Sequence, residues 1–226
     1  MIPLPKGCRL LDTLSKDDLE RVLLLLDARE ISYKKGAFLH RAGEPMRRFG
    51  IVLQGLLQVF MEDVEGERMV MASIAPGESF GEALAYLRIT DTPIFVEAVK
   101  DSVVLWLSPE KLHLPSSSNA LLETILSRFM AMMAKKMLLS NDRIQVLSKR
   151  TLRKKLLAFF SQCVRDSGGA RTFTVPFDRA GMADYLGADR AALSRELSNM
   201  KKEGLIDFVG NRFRLLFPAK HTDIFS

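Results

Sequence analysis

DRAGMADYLGADRAALSRELSNMKKEG, residues Asp178 to Gly204, reads as two short helices joined by a tight turn. Asp178 is an N-cap for a first helix whose apolar positions Met182, Tyr185 and Leu186 share a face, and Gly187 supplies the left-handed residue that ends it. Asp189 caps a second helix. There Leu193, Leu197 and Met200 recur at 0, +4 and +7 as a buried stripe, which turns Arg190, Ala191, Ser194, Arg195, Asn199 and Lys201 elsewhere. Two helices so joined form a helix-turn-helix, whose second helix enters the major groove of a DNA duplex. Arg suits bidentate contact with guanine, and Ser and Lys suit phosphates. Asp189, Arg190, Ala191, Ser194, Arg195 and Lys201 are therefore the candidate DNA-binding residues. The alternative is an ordinary helical hairpin whose arginines are solvated surface charges.

Downstream, Gly204 stops the second helix. LIDFVGNRFRLLF, Leu205 to Phe217, gives two short strands about a Gly210-Asn211 turn. The addition makes a winged helix-turn-helix, with Arg212, and Arg214 beside it, placed to reach a phosphate backbone. Charge agrees: from Ser148 onward there are 15 Lys and Arg against 8 Asp and Glu, while Met1 to Leu147 carries 18 against 19. A basic third beside a near-neutral remainder points to a polyanion meeting only the former.

Upstream, Thr151 caps a helix, LRKKLLAFFSQCV, behind a hinge at Ser148 to Thr151. Lys149, Arg150, Arg153, Lys154 and Lys155 crowd the end of that helix where cations oppose its dipole, and a nearby phosphate backbone would give the reason. Before it, Asn119 to Leu147 has no Gly or Pro and extends about 43 Å as a helix, with Ser116 to Ser118 as caps. Leu122, Ile125, Phe129, Met132 and Leu139, interrupted by Lys136, approach a heptad seam facing a twin chain. A second stripe, Leu126, Met130, Met133 and Met137, is left to pack on the chain's own N-terminal part.

That part opens with a helix capped by Ser15 and acidic in its first turn. From Arg29 to Leu107 short alternating segments are broken by Gly, Pro and acidic turns, the pattern of an antiparallel sandwich, roll or barrel. KKGAFLHRAGEP, GIVLQGLLQVF and APGESFGE resemble successive turns of the cyclic-nucleotide-binding β-roll. Together with the C-terminal motif, about residues 8 to 217 resemble a transcription regulator of the cyclic AMP receptor protein and FNR (Crp/Fnr) family. The resemblance implies an α+β fold: a double-stranded β-helix for effector binding at 1–115, a dimerisation helix and hinge at 116–150, and a winged helix-turn-helix at 151–226.

SFGEALAYLRITDTP, Ser79 to Pro93, is similar to the family's phosphate-binding cassette, in which Gly81, Glu82 and Ala83 would offer backbone N–H groups to an anion. In nucleotide binders the glutamate takes the ribose hydroxyl and a later arginine the phosphate. Here the arginine position is Thr92 and the next is Pro93, neither a guanidinium fork, with Arg88 four residues earlier as a substitute that would have to turn inward. By the same resemblance Ser140 and Asn141 would reach the effector pocket of the partner chain. The set implies a homodimer that binds double-stranded DNA and engages RNA polymerase, and the missing arginine implies that it responds to a small molecule other than cyclic AMP or to none, with no cofactor.

Two cysteines, Cys8 and Cys163, and three histidines, His40, His113 and His221, have no metal-ligand spacing. Cys163 is expected as a core thiol, Cys8 as a harmless terminal residue or a reactive one. No Ser-His-Asp, Cys-His or paired-carboxylate constellation indicates an enzyme. Without a secretory signal, a membrane span or a lipidation motif, a cytoplasmic protein that does not engage a membrane is expected. The competing function is a cytoplasmic ligand-binding module whose basic C-terminal domain docks an acidic protein.

Overall fold

A computed structural model describes residues 4–5, 7–8, 10–113, 119–175 and 177–216. The caps expected at Ser116 to Ser118, the hairpin end Phe217, and His221 lie outside them. The chain forms two compact units, Met1–Lys135 and Lys136–Ser226.

In the first unit, Ser15 accepts a hydrogen bond from the Asp18 amide and starts α1 (Lys16–Leu25), with Asp17 and Asp18 at the positive end of its dipole. There follow β1 (Arg29–Tyr33), β2 (Phe38–His40), β3 (Phe49–Gln54), β4 (Leu57–Glu62), β5 (Arg68–Ile74), β6 (Ser79–Phe80), α2 (Glu82–Tyr86), β7 (Phe95–Ala98), β8 (Ser102–Leu107), a 3-10 turn at Glu110–His113 and the long α3 (Ala120–Leu147). Two four-stranded sheets, ordered β1-β8-β3-β6 and β2-β7-β4-β5, form the roll, and every pairing is antiparallel. Val52, Phe80, Val104 and Trp106 of one sheet meet Leu57, Val59, Val96 and Ala98 of the other. Period-2 alternation sends the opposite face of β3 and β8, Phe49, Ile51, Leu105 and Leu107, outward against helices.

Those helices include the start of α3, and this corrects an expectation. Leu122, Ile125 and Phe129 are buried in the roll's own core, Phe129 lying 5.7 Å from the Phe49 ring and 5.3 Å from Tyr86, with Met132 partly buried beside them. The first part of the face assigned to a twin is therefore occupied by the chain itself, while Leu139, farther along it, is 55% exposed. The other stripe is divided: Leu126 and Met133 are partly buried against the same core, while Met130 is 64% exposed and Met137 61%. Leu138, Leu139 and Ile144 are exposed too, and Lys136 is half-buried.

In the second unit the last turn of α3 is part of the core, with Val146 fully buried. The Gln162 side chain donates to the Asp142 carbonyl at 2.7 Å, and Arg165 pairs with the Asp142 carboxylate at 2.7 Å. Across the segment Ser148 to Thr151, these bonds join the end of α3 to α4 (Leu152–Asp166). Then come β9 (Thr172–Thr174), α5 (Arg179–Leu186), α6 (Arg190–Lys202), β10 (Ile206–Val209) and β11 (Arg212–Leu215). The strands form one sheet, β10-β11-β9, so the wing has a third strand that three residues of sequence did not betray. Phe160, Phe173 and Phe213 stack beneath it.

Candidate nucleic-acid interface and effector pocket

The helix pair forms as its caps dictate. Asp178 accepts from the Gly181 amide at 2.8 Å, and α5 ends at Gly187, whose φ of 56° is the left-handed region where a side chain would be strained. Lys155 then donates to the Leu186 carbonyl at 2.9 Å, so this cation of the upstream cluster satisfies the C-terminal end of α5. Asp189 accepts from the Ala192 amide at 2.9 Å and so serves α6 as its cap, with Leu193, Leu197 and Met200 buried.

The opposite face of α6 presents Arg190, Ala191, Ser194, Arg195, Ser198, Asn199 and Lys202, all exposed. Ala191, Arg195, Ser198 and Lys202 lie at 0, +4, +7 and +11 and form its middle. Lys201 does not belong to this face: its ammonium is 2.6 Å from Asp207 and 3.4 Å from the Phe208 carbonyl, holding the Asp207 carboxyl below the usual carboxylate range. It fastens α6 to the wing, and Lys202, which the sequence did not single out, replaces it on the open face. Ser194 returns its hydroxyl proton to the Arg190 carbonyl at 3.0 Å, leaving its oxygen as an acceptor.

Arg153 is likewise engaged within the domain. Its guanidinium donates to Glu196 at 2.6 Å and to both oxygens of Glu203 at 2.6 and 2.8 Å, a fork that holds both acids of α6 and its C-cap and keeps the Glu203 carboxyl low. Arg153 and Lys155 of that cluster thus have internal partners that account for their place at a helix N-terminus. Arg212 and Arg214 are exposed on β11. Arg179, also missed, lies over the Phe208 and Phe213 rings at 4.9 and 5.1 Å and donates to the Gly210 carbonyl at 3.1 Å, tying α5 to the wing turn. A cation at the positive end of a short helix was the available signal.

In the roll, Gly81 has φ 77° and precedes α2, and a side chain there would run into the sulfur of Met46. The buried Met46 thioether therefore abuts the start of α2. Glu82 is buried and Ala83 exposed. Thr92, at the arginine position, is fully buried. Its hydroxyl lies 2.5 Å from Nε2 of the buried His40 and donates to the Glu44 carbonyl at 3.3 Å. Burial pushes the His40 pKa down, against a smaller upward pull from Glu44. The imidazole of His40 and the hydroxyl of Thr92 thus satisfy each other inside the roll.

Arg88 does not turn inward to replace the missing arginine. It is exposed, holds φ 56°, and lines a cavity of about 330 Å³ with Arg47, Arg48, Ser108, Glu110 and His113. Ser140 and Asn141 are exposed on α3 in the second unit. Burial pushes the Cys8 thiol up to about 11 and that of Cys163 to about 12, so neither is a thiolate near neutrality. Among the described residues no group of His, Cys, Asp and Glu could hold a metal, and no helix is long and apolar enough to cross a membrane.

Two family models match: the cyclic nucleotide-binding domain over residues 30–113 and the Crp-like helix-turn-helix domain over residues 154–220. The transcriptional activator protein FnrL of Cereibacter sphaeroides is 26% identical over 193 residues, 80% of this chain and 73% of its own. The transcriptional activator protein anr of Pseudomonas aeruginosa is 26% identical over 187 residues, 81% and 75% of the two chains. Of solved structures, FixK2 of Bradyrhizobium japonicum is 24% identical with a TM-score of 0.51, covering 83% of this chain and 92% of its own. The c-di-GMP responsive global regulator CLP of Xanthomonas campestris is 16% identical with a TM-score of 0.57, covering 90% and 100%. These last two likenesses are of fold.

Proposed function

The chain belongs to the Crp/Fnr family of DNA-binding transcription regulators with a cyclic-nucleotide-binding-like sensor domain, and from that premise we propose that it acts as a cytoplasmic homodimer reading a palindromic operator. The observation that carries this is the open face of α6, where Arg190, Arg195 and Lys202 meet no carboxylate among the described residues while the domain's ion pairs there are made elsewhere. Arg195 takes a guanine edge, Ala191 offers only a methyl contact, and Arg190, Ser194, Lys202 and Arg212 take phosphates.

Support for two-fold pairing comes from α3. Leu126, Met130, Met133, Met137, Ser140, Ile144 and Leu147 follow the 4-3 spacing of a coiled-coil seam, and most of its apolar members are exposed. Recognition helices of a dimer meet successive major grooves about 34 Å apart, so an effector that favours one arrangement of the pair changes operator affinity. RNA polymerase is the partner through which a bound dimer would alter transcription.

The effector is not cyclic AMP or cyclic GMP. Leaving a buried phosphodiester without its guanidinium costs about 3 to 5 kcal/mol, roughly two to three and a half decades of affinity. Selection from random duplexes tests the DNA reading: a two-fold site with a guanine whose loss matters only while Arg195 is present supports it. Binding that is indifferent to sequence, with capture of an acidic protein instead, refutes it. Calorimetry showing micromolar cyclic AMP binding would refute the effector statement.

A further inference from the structure

The cavity that Arg88 lines is walled by three segments far apart in sequence: Pro45 to Arg48 before β3, the end of α2 through Thr90, and Ser108 to His113 after β8. Its charges are unevenly answered. Arg48 is held by Asp27, through both the carboxylate and the carbonyl oxygen at 2.6 Å. The side chains of Arg47 and Arg88 have no ion pair or hydrogen bond among the described residues, and Glu110 is the one acid on the wall. Thr90 and Ser108 add hydroxyls, and the exposed His113 adds ring nitrogens.

Two further features set this place apart from ordinary basic surface. Arg88 is the left-handed residue that ends α2, with φ 56° and the next amide, that of Ile89, donating to the Leu84 carbonyl at 2.9 Å, so the cap fixes where its side chain leaves the backbone. His113 stacks on Tyr86 with ring centroids 4.3 Å apart, and Tyr86 in turn lies 5.3 Å from Phe129 of α3. The wall of the cavity is thus in ring contact with the start of the long helix.

We propose that this cavity is a binding site for a small phosphate-bearing metabolite. Planar guanidinium forks at Arg47 and Arg88 suit the oxygens of a phosphate monoester, with Thr90 and Ser108 as neutral donors and Glu110 as acceptor for a ligand hydroxyl. The volume of about 330 Å³ holds a phosphate and a short carbon skeleton. Its lining includes the end of α2 but neither His40 nor Thr92, so the site is distinct from that buried pair. Occupancy would act on α3 through the His113–Tyr86–Phe129 stack. This deepens the effector reading above and rests on it only for that consequence, since binding is measured without DNA.

The test is calorimetry of the full chain with inorganic pyrophosphate as the probe. Arg47→Gln and Arg88→Gly remove the free cations; the glycine also relieves the left-handed backbone, so the variant keeps its fold. An Arg190→Gln/Arg195→Gln variant reports anion binding on the DNA-facing helix. Saturable binding of one pyrophosphate per chain that weakens at least tenfold in each cavity variant and persists in the α6 variant is the expected result. Unchanged affinity in both cavity variants, or loss in the α6 variant alone, overturns the site.

Discussion

Met137→Ala tests which face of α3 meets a second chain. The side chain is 61% exposed, and full burial of a methionine is worth about 1.5 to 3 kcal/mol, so covering what remains open contributes about 1 to 2 kcal/mol per copy. A two-fold seam counts the residue twice. The dimer should weaken by about 2 to 4 kcal/mol, roughly 30- to 700-fold in dissociation constant. Sedimentation equilibrium over a dilution series reads this directly, and the melting temperature of the dissociated chain should hardly move. Phe129→Ala is the opposing control. Phe129 is 3% exposed and packed on Phe49 and Tyr86, so truncation should cost about 3 to 5 kcal/mol of fold stability. If Phe129→Ala dissociates a fully stable chain while Met137→Ala leaves the dimer intact, the assignment of the two faces is reversed.

Lys202→Ala should flatten the salt dependence of DNA binding by about one phosphate contact; Lys201→Ala, whose ammonium is tied to Asp207, should alter that slope less and lower the melting temperature more. Equal slope changes would count against the division of roles. His40 has a folded pKa below its unfolded value near 6.5, so the unfolded chain binds the extra proton first as pH falls. Its share of stability is therefore complete above about pH 6.5 and declines below it, ahead of the carboxylates, and His40→Gln should flatten the melting profile between about pH 5 and 7. A profile just as steep in the variant would assign the slope to other groups. Cys8, buried with its thiol pushed to about 11, should resist a thiol reagent at pH 8 until the chain unfolds; rapid labelling of the native protein would show the N-terminal segment to be open.

What the sequence made legible was local. Asp178, Asp189, Thr151 and Ser15 are all N-caps, because a cap acts on amides two or three residues ahead. Gly187 and the Leu193, Leu197, Met200 stripe followed from similar short-range geometry. The assignment of faces on α3 failed because the helix carries two apolar stripes, and periodicity cannot say which of them a distant sheet will cover. The clamp of Arg153 on Glu196 and Glu203 spans 43 and 50 residues, and the His40–Thr92 contact spans 52. No spacing rule reaches such pairs. Lys201 and Lys202 differ by one residue and hence by 100° about the helix, which sent one to the wing and left the other on the open face.

The Arg153 fork gives α6 an internal counter-ion. Glu196 and Glu203 are the acids of that helix and its cap, and both lean away from the open face onto a guanidinium that stands behind it. A polyanion approaching from the front therefore meets the fields of Arg190, Arg195 and Lys202 with one of the two negative charges of Glu196 and Glu203 already offset at close range. Arg153 thus contributes to the long-range pull on a duplex without ever coming near it, and a chain lacking that guanidinium would repel with two carboxylates the phosphates that its exposed cations attract.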